Sequence, residues 1–248
     1  MSKRTARVRM GTFNTGRATT AQIREVCHSA DITALQEFSD RDSVAVALRR
    51  DGLGLIRPDD HIGQPATPLV FDPERFLLVR PFSVPLAPGG DIGQGTGPDH
   101  GKPKFLNGAY FIDRLTRRRI GASCIHTYAD EEPGSKRLRL SVDMVEKGVD
   151  HFDGYRGIAF IMGDFNSEPG KPTTQPLIRA HWKCNHIEGR ELSTHGAHWT
   201  PDHIWWHDGR GRIEMNSQRV IRKTRSDHGA LIVDFDLAYG PHTKGGVQ

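Results

Sequence analysis

The sequence predicts an α/β fold with α+β segregation of its parts, and three observations carry that prediction. Strand-like and helix-like segments alternate as β-α-β-α through the first fifty residues, a pattern that layers helices over a sheet. A succession of apolar stretches of strand length then fills the middle and the end of the chain. The composition, 36% apolar and 26% charged, is that of an ordinary soluble protein and excludes disordered, collagen-like and coiled-coil architectures.

Residues 7–14 alternate, with Val8, Met10 and Thr12 on one side and Arg7 and Arg9 on the other, which makes a strand. Ile23 and Val26 are spaced for a helix that Thr19 or Thr20 caps. Residues 31–36 form a short, mostly buried strand. Residues 39–50 place Val44, Ala47 and Leu48 on one helical face and stop at Gly52. Strands are expected at 68–71, 75–79, 105–114 and 118–126. Within this region residues 83–103 hold six glycines and four prolines and read as a loop, functional or mobile. Leu138, Val142, Val145 and Val149 make one face of a helix. An apolar strand at 157–162 turns at Gly163, a short helix is expected at 173–181, and strands at 201–207, 212–222 and 230–237 close the fold. Residues 241–248 are polar and Gly-rich and read as a flexible C-terminal tail. No residue-level repeat or linker interrupts the chain, so residues 1–240 are expected to form one domain.

Lys and Arg number 34 against 30 Asp and Glu, a net charge of +4 that suits a polyanionic partner without demanding one. Cys27, Cys124 and Cys184 are odd in number and far apart, which rules out a disulfide scaffold. The basic start lacks an apolar segment behind it, and no apolar run is long enough to cross a membrane. A cytoplasmic, monomeric protein with no membrane partner is expected.

Acidic, amide and imidazole side chains fall at the ends of the expected strands: Asn14, Glu37, His126, Asp164 with Asn166, Asp202, and Asp227 with His228. Strand ends are where such folds collect side chains from distant parts of the chain. Hard oxygen ligands (Glu37, Asp164, Asp227 and the amide of Asn14) suit Mg2+ or Mn2+, which share ligation with substrate phosphate. Imidazoles donate to phosphoryl oxygens as charge builds in the transition state. The chemistry this set suggests is metal-assisted phosphoryl transfer. Singly, each residue also has a structural reading as a turn, cap or core residue.

The segments Gly11-Thr12-Phe13-Asn14, Leu35-Gln36-Glu37, Ile125-His126-Thr127, Gly163-Asp164-Phe165-Asn166, Asp202-His203-Ile204 and Ser226-Asp227-His228 resemble, in order and rough spacing, the motifs of the endonuclease/exonuclease/phosphatase superfamily. The resemblance implies a four-layer αββα sandwich of two packed mixed sheets flanked by helices, with the active site at one end. It implies a phosphoric ester hydrolase using a divalent cation, usually Mg2+. By that resemblance Glu37 is the principal metal ligand with Asn14 beside it, and Asp227 supports the metal site. Asp164 orients or deprotonates the attacking water. Asn166 is a phosphate donor or second-site ligand, and His126 and His228 bind the scissile phosphate. Asp202 stands behind His228 and fixes its tautomer. Asp164 and His228 are expected at an open site, where substitution costs little stability. Two departures stand out: Pro201 precedes Asp202 where the family commonly has Ile, and no segment clearly matches the tyrosine-bearing one of abasic-site endonucleases, Tyr110 lying nearest.

Other signals carry less. His181, Cys184, His186, His195, His198, His203 and His207 fall within 27 residues, but the spacing fits no familiar zinc finger. They read as surface and loop histidines, with His203 near the active site. Gly93-x-Gly95-x-Gly97 and Gly101-Lys102 lack the context of a nucleotide-binding loop. Arg117, Arg118 and Arg119 read as a hairpin turn, whereas Arg222, Lys223 and Arg225 directly precede the Ser-Asp-His segment and are assigned to substrate phosphates. A nucleic-acid substrate, hence a nuclease, is the leading expectation. The alternatives are a phosphatase or phosphodiesterase acting on a small molecule or lipid headgroup, and a catalytically silent binding protein.

Overall fold

The computed structural model describes residues 5–38, 41–57, 67–90, 102–129, 132–186, 192–196, 198–208 and 212–240. The proposed tail at 241–248, most of the Gly-rich stretch around Gly93 to Gly101, and Ser39 at the expected start of the second helix lie outside the described residues. In chain order the elements are β1 (Thr5–Asn14), α1 (Thr20–Ser29), β2 (Ile32–Gln36), α2 (Asp42–Arg50), β3 (Gly54–Ile56), β4 (Leu69–Phe71), β5 (Phe76–Ala87) and β6 (Lys104–Asp113). There follow β7 (Arg119–His126), α3 (Lys136–His151), β8 (Ile158–Asp164), a 3-10 turn (Pro172–Thr174), α4 (Gln175–Arg179), β9 (Lys183–Cys184), β10 (Asp202–His207), β11 (Ile213–Ile221) and β12 (Ala230–Ala238).

The strands make two six-stranded sheets, ordered β11-β12-β1-β2-β4-β3 and β5-β6-β7-β8-β10-β9. Each is mixed: β1 runs parallel to β2 and β7 parallel to β8, and the other pairs are antiparallel. Strand side chains alternate between faces, and this alternation builds the layers. Val8, Met10, Ile32, Ala34, Val233 and Phe235 of the first sheet pack on Ala122, Phe160, Met162, Ile204 and Trp206 of the second. Phe160 meets Phe235 edge-on at 5.4 Å, a contact worth about 0.5–1.5 kcal/mol beyond its buried area. The opposite face of the first sheet, with Phe13, Leu35 and Ile232, covers Ile23, Val26, Val44 and Leu48 of α1 and α2. The opposite face of the second, with Ile125, Ile161 and Trp205, covers Met144 and Val145 of α3 and Leu177 of α4. The expected αββα sandwich is the observed fold.

α1 begins in a capping box. The Gln22 N–H donates to Thr19 Oγ1 and the Thr19 N–H donates to Gln22 Oε1, satisfying two otherwise orphaned donors. Far from the site, Arg75 ties the sheets together through Asp31 of the β2 entry (2.7 Å) and Asp113 of β6 (3.4 Å).

Three expectations change. The stretch expected as loop from residue 83 is, through Ala87, the end of the edge strand β5. Pro81 and Pro85 are tolerated there because an edge strand has one side free of ladder bonds, so a missing N–H goes unmissed. The short strands β3 and β9 were not anticipated, being too brief to show a period. The helix expected at 173–181 is split into the 3-10 turn and five-residue α4, which ends before His181 at φ 60°.

Gly163 sets how closely β7 and β8 approach at the site. A Cβ there would lie 1.9 Å from the Ile125 carbonyl oxygen, a backbone atom with nowhere to go. Gly163→Ala should therefore push the strands apart and cost about 1–3 kcal/mol or more. A lowered urea midpoint at unchanged slope is the expected reading; a midpoint equal to the parent's would show that the strands part without cost.

Candidate active site

The inner row of each central strand turns from apolar to polar at the same end of the sandwich. On β1 Val8 and Met10 give way to Thr12 and Asn14; on β2 Ile32 and Ala34 to Gln36; on β7 Ala122 and Cys124 to His126; on β8 Phe160 and Met162 to Asp164. β10 enters from that end with Asp202. Register fixes the neighbours: Asp164 pairs with His126 across the parallel β7 and with Asp202 across the antiparallel β10, while Asn14 pairs with Gln36. Beneath the site Gln36 Nε2 reaches Cys124 Sγ across the sheets at 3.1 Å.

Asp164 is the centre. Its Oδ2 accepts from Asn14 Nδ2 (3.0 Å), and its Oδ1 accepts from the Asn166 N–H (2.8 Å). His126 Nε2 and His228 Nε2 stand 3.7 and 3.8 Å from the same Oδ2. Asn14 Nδ2 also reaches Glu37 Oε1 at 3.1 Å, so one amide joins the carboxylates that follow β2 and end β8. Glu37 (φ 52°) and Asn166 (φ 45°) both hold the left-handed backbone conformation, which costs a non-glycine residue energy and recurs at functional sites. Thr15 pins the first of these turns, its Oγ1 donating to the carbonyls of Gln36 and Glu37. Asn166 Nδ2 donates to the Thr127 carbonyl at 3.1 Å and so braces the second.

Asp202 accepts from His228 Nδ1 at 2.8 Å, which fixes the tautomer and leaves Nε2 facing the site. Pro201 does not displace it; its carbonyl accepts from the Phe165 N–H at 2.8 Å. Burial pushes the Asp164 carboxyl pKa up, as does the Asp202 charge, against the pull of His228, Asn14 and the Asn166 N–H. Burial would lower the His228 imidazole. The charge and hydrogen bond of Asp202, with Asp164 and Asp227 behind them, outweigh it and raise the pKa to about 9. His126 goes the other way, pushed well below its ordinary value by burial and by the charges of Lys104 and His228. The two rings therefore differ: His228 is an imidazolium at neutral pH and His126 a neutral imidazole.

The residues present suit a divalent cation. Two buried atoms, Asp202 Oδ1 and His126 Nδ1, have no hydrogen-bond partner among the described residues. The space that a Cβ on Gly16 would enter is faced by Ser226 Oγ, Asp227 Oδ1 and Asn14 Oδ1, at 2.9, 3.4 and 3.8 Å from that point. Three oxygens thus face one space beside Asn14, whose Nδ2 reaches Glu37, and oxygen ligands are what Mg2+ or Mn2+ takes.

Other expectations sort differently. Asp164 and His228 are buried, not open, at 1% and 7% exposure, because they continue the inner rows of the sandwich. His203 is not at the site. Alternation turns it to the outer face of β10, where it stacks on Phe165 at 5.2 Å and donates to Thr200 O. Tyr110 is likewise on an outer face, its hydroxyl 3.1 Å from His151 Nε2. Arg222, Lys223 and Arg225 are exposed on the loop between β11 and β12. That loop is held to the start of α1, since Gln22 Nε2 donates to Lys223 O (3.1 Å) and Gln22 Oε1 accepts from the Arg225 N–H (3.2 Å). One residue expected to be a surface histidine stands at the site: His195 Nε2 is 3.6 Å from Asp227 Oδ2, and its ring is 4.7 Å from that of His228. Its only sequence signal was a place in the His-rich segment.

The model of the Endonuclease/Exonuclease/phosphatase family matches residues 11–228. The chain belongs to this family. Members of the endonuclease/exonuclease/phosphatase family are phosphoric ester hydrolases, nucleases and phosphatases among them, and are typically dependent on a divalent metal. No curated protein matches the chain in sequence. Solved structures that share the fold include the human Nocturnin catalytic domain with bound sulfate, at 16% identity and TM-score 0.71, covering 96% of this chain and 97% of that one. D. rerio TDP2 complexed with a single-strand DNA product is similar at 10% identity and TM-score 0.68, covering 93% and 99%. A mannosyl-6-phosphatase from Bacteroides thetaiotaomicron is similar at 15% identity and TM-score 0.67, covering 92% and 99%. Within the family fold, this chain's buried acidic and imidazole cluster occupies the polar end of the sandwich. No helix of the described residues is long and apolar enough to cross a membrane.

Proposed function

We propose that this phosphoesterase is a nuclease that hydrolyses phosphodiester bonds of nucleic acid by in-line attack of water. The observation that carries the reading is the pair of imidazole nitrogens, His126 Nε2 and His228 Nε2, set within 3.8 Å of one Asp164 oxygen. A phosphoryl group entering between the rings would find His228 Nε2–H as donor, His126 beside it, and Asp164 in reach of a water on its flank. Asp164 orients that water and takes its proton. Asn14 and the Asn166 N–H keep the carboxylate from rotating, and Asp202 keeps His228 aimed. The second amide proton of Asn166 remains for a phosphate oxygen. Glu37, Asn14 and Asp227 would hold Mg2+ or Mn2+, which would supply neutralising charge to the phosphoryl and leaving oxygens.

The choice of nucleic acid rests on the basic loop. Arg222, Lys223 and Arg225 are exposed, and the loop that carries them is anchored to α1 and runs straight into His228. They would meet phosphates flanking the scissile one, and each such contact releases a counterion. Replacing all three with Ala should weaken nucleic-acid binding and reduce the log–log salt slope by up to about 2 to 3 units. Hydrolysis of a small aryl phosphodiester, which lacks flanking phosphates, should barely change. Binding measured across a salt series, with catalysis blocked by Asp164→Asn, decides the matter. A flat salt response in the parent would replace the nuclease reading with a small-molecule phosphatase, and an unchanged slope in the triple variant would remove this loop from the interface.

A further inference from the structure

His195 lies outside the family's motifs yet is built into the site. Thr194, His195 and Trp199 bond to one another and to the loop before β12 through the backbone. The Gly229 N–H donates to Thr194 O at 2.6 Å, and His195 forms bridges with both Trp199 and His228. These bonds fix two imidazoles side by side, with ring centroids 4.7 Å apart at 62°. Trp199 packs edge-on against His195 at 5.0 Å. Asp227 completes the group, and one ligand atom from each of His195, Asp227 and His228 lies within 4.8 Å of the other two.

We propose that His195, Asp227 and His228 form a binding site for a borderline divalent cation, zinc foremost, which shares Asp227 with the oxygen set around Glu37 and differs from it by its two imidazole donors. Two imidazole nitrogens and one carboxylate favour Zn2+ over Mg2+, which takes oxygen ligands and keeps its waters. A histidine that ligates a metal almost always donates its other ring N–H to a carboxylate or carbonyl, and His228 Nδ1 already does so to Asp202 at 2.8 Å. The Asp227 side chain, 74% exposed, is free to close onto the cation, while the two rings are held by the backbone. His195, one-third exposed at 33%, leaves an entry path. Three protein ligands leave a fourth position for water or a phosphate oxygen.

A cation so placed displaces the His228 Nε2 proton to solvent and takes up that nitrogen, so zinc should inhibit hydrolysis. This consequence rests on the role given to His228 above; the binding itself does not. The test uses the full chain stripped of metal, with Mg2+ in excess as a competitor that the two imidazole donors should exclude. Zn2+ is titrated by calorimetry, and Co2+ is added as a spectroscopic probe of nitrogen ligation. The expected result is zinc binding that survives excess Mg2+, and a visible Co2+ spectrum of the nitrogen-ligated, low-coordinate type. In His195→Ala the zinc affinity should fall by at least about tenfold, the Co2+ spectrum should be lost, and zinc inhibition should disappear. An unaltered melting temperature without metal shows that the variant is folded; if it is not, His195→Asn, closer in size, replaces it. Parent-like zinc affinity and Co2+ spectrum in the folded variant would overturn the site. If the parent binds zinc through His195 but hydrolyses no phosphodiester, the site stands and the nuclease reading falls. If it hydrolyses nucleic acid while His195→Ala binds zinc like the parent, the reverse holds.

Discussion

Asp164→Asn and His228→Ala should each lower kcat by about two to four orders of magnitude, the scale of losing a proton acceptor or a donor to developing charge. Asparagine keeps the shape and can accept from the Asn166 N–H, but it cannot take a proton from water. The two variants should differ in stability, because both residues are buried. Asp164→Asn removes a carboxylate that burial and Asp202 disfavour, which offsets the lost acceptor for Asn14 Nδ2, so the melting temperature should change little. His228→Ala strips Asp202 of its ion partner, and breaking a buried pair costs about 3–5 kcal/mol. Activity must therefore be expressed per folded molecule, with the folded fraction read by circular dichroism. If activity per folded molecule stays at the parent's level in either variant, that residue is structural.

Removal of the cation should have an effect at least as large. Excess chelator should abolish hydrolysis, and Mg2+ or Mn2+ should restore it, since the oxygens around Glu37 and Asn14 are the hard donors such a cation takes. Glu37→Gln should keep the fold and weaken Mg2+ binding by at least about tenfold in a calorimetric titration. Full turnover by metal-free protein in excess chelator would end the metal-dependent reading. Unchanged Mg2+ affinity in the variant would move the ligand elsewhere.

Most of the fold and the motif residues were legible because both follow from short-range rules. Val8 and Met10 alternate on β1 as the period of a strand demands, and the same period carries on to Asn14, so the row that builds the core also delivers the site residue. Asp164 is reached in the same way along Phe160 and Met162. The misreadings came where a rule has a positional exception. Pro81 and Pro85 look like loop residues until the strand that holds them is known to be at an edge, which is a fact of sheet order and not of local sequence. His203 and Asp202 are adjacent, so a motif places them together, but one faces the core between the sheets and the other the helices. His195 was illegible because only the bridge to His228, between residues far apart in the chain, brings it to the site.

The pairing of β1 with β12 has a consequence for how activity arises. Thr5 sits opposite Ala238, so the first and last strands are neighbours in the middle of one sheet. Asn14 ends β1 and Glu37 follows β2, His126 and Asp164 end β7 and β8, and Asp202 and His228 open β10 and precede β12, so the site draws on segments spread from β1 to the start of β12. Contacts between such distant partners close late and slowly during folding, because loop-closure entropy must be overcome first. A chain in which β12 has not yet paired with β1 thus lacks the assembled site, and phosphoester hydrolysis is expected to follow that pairing.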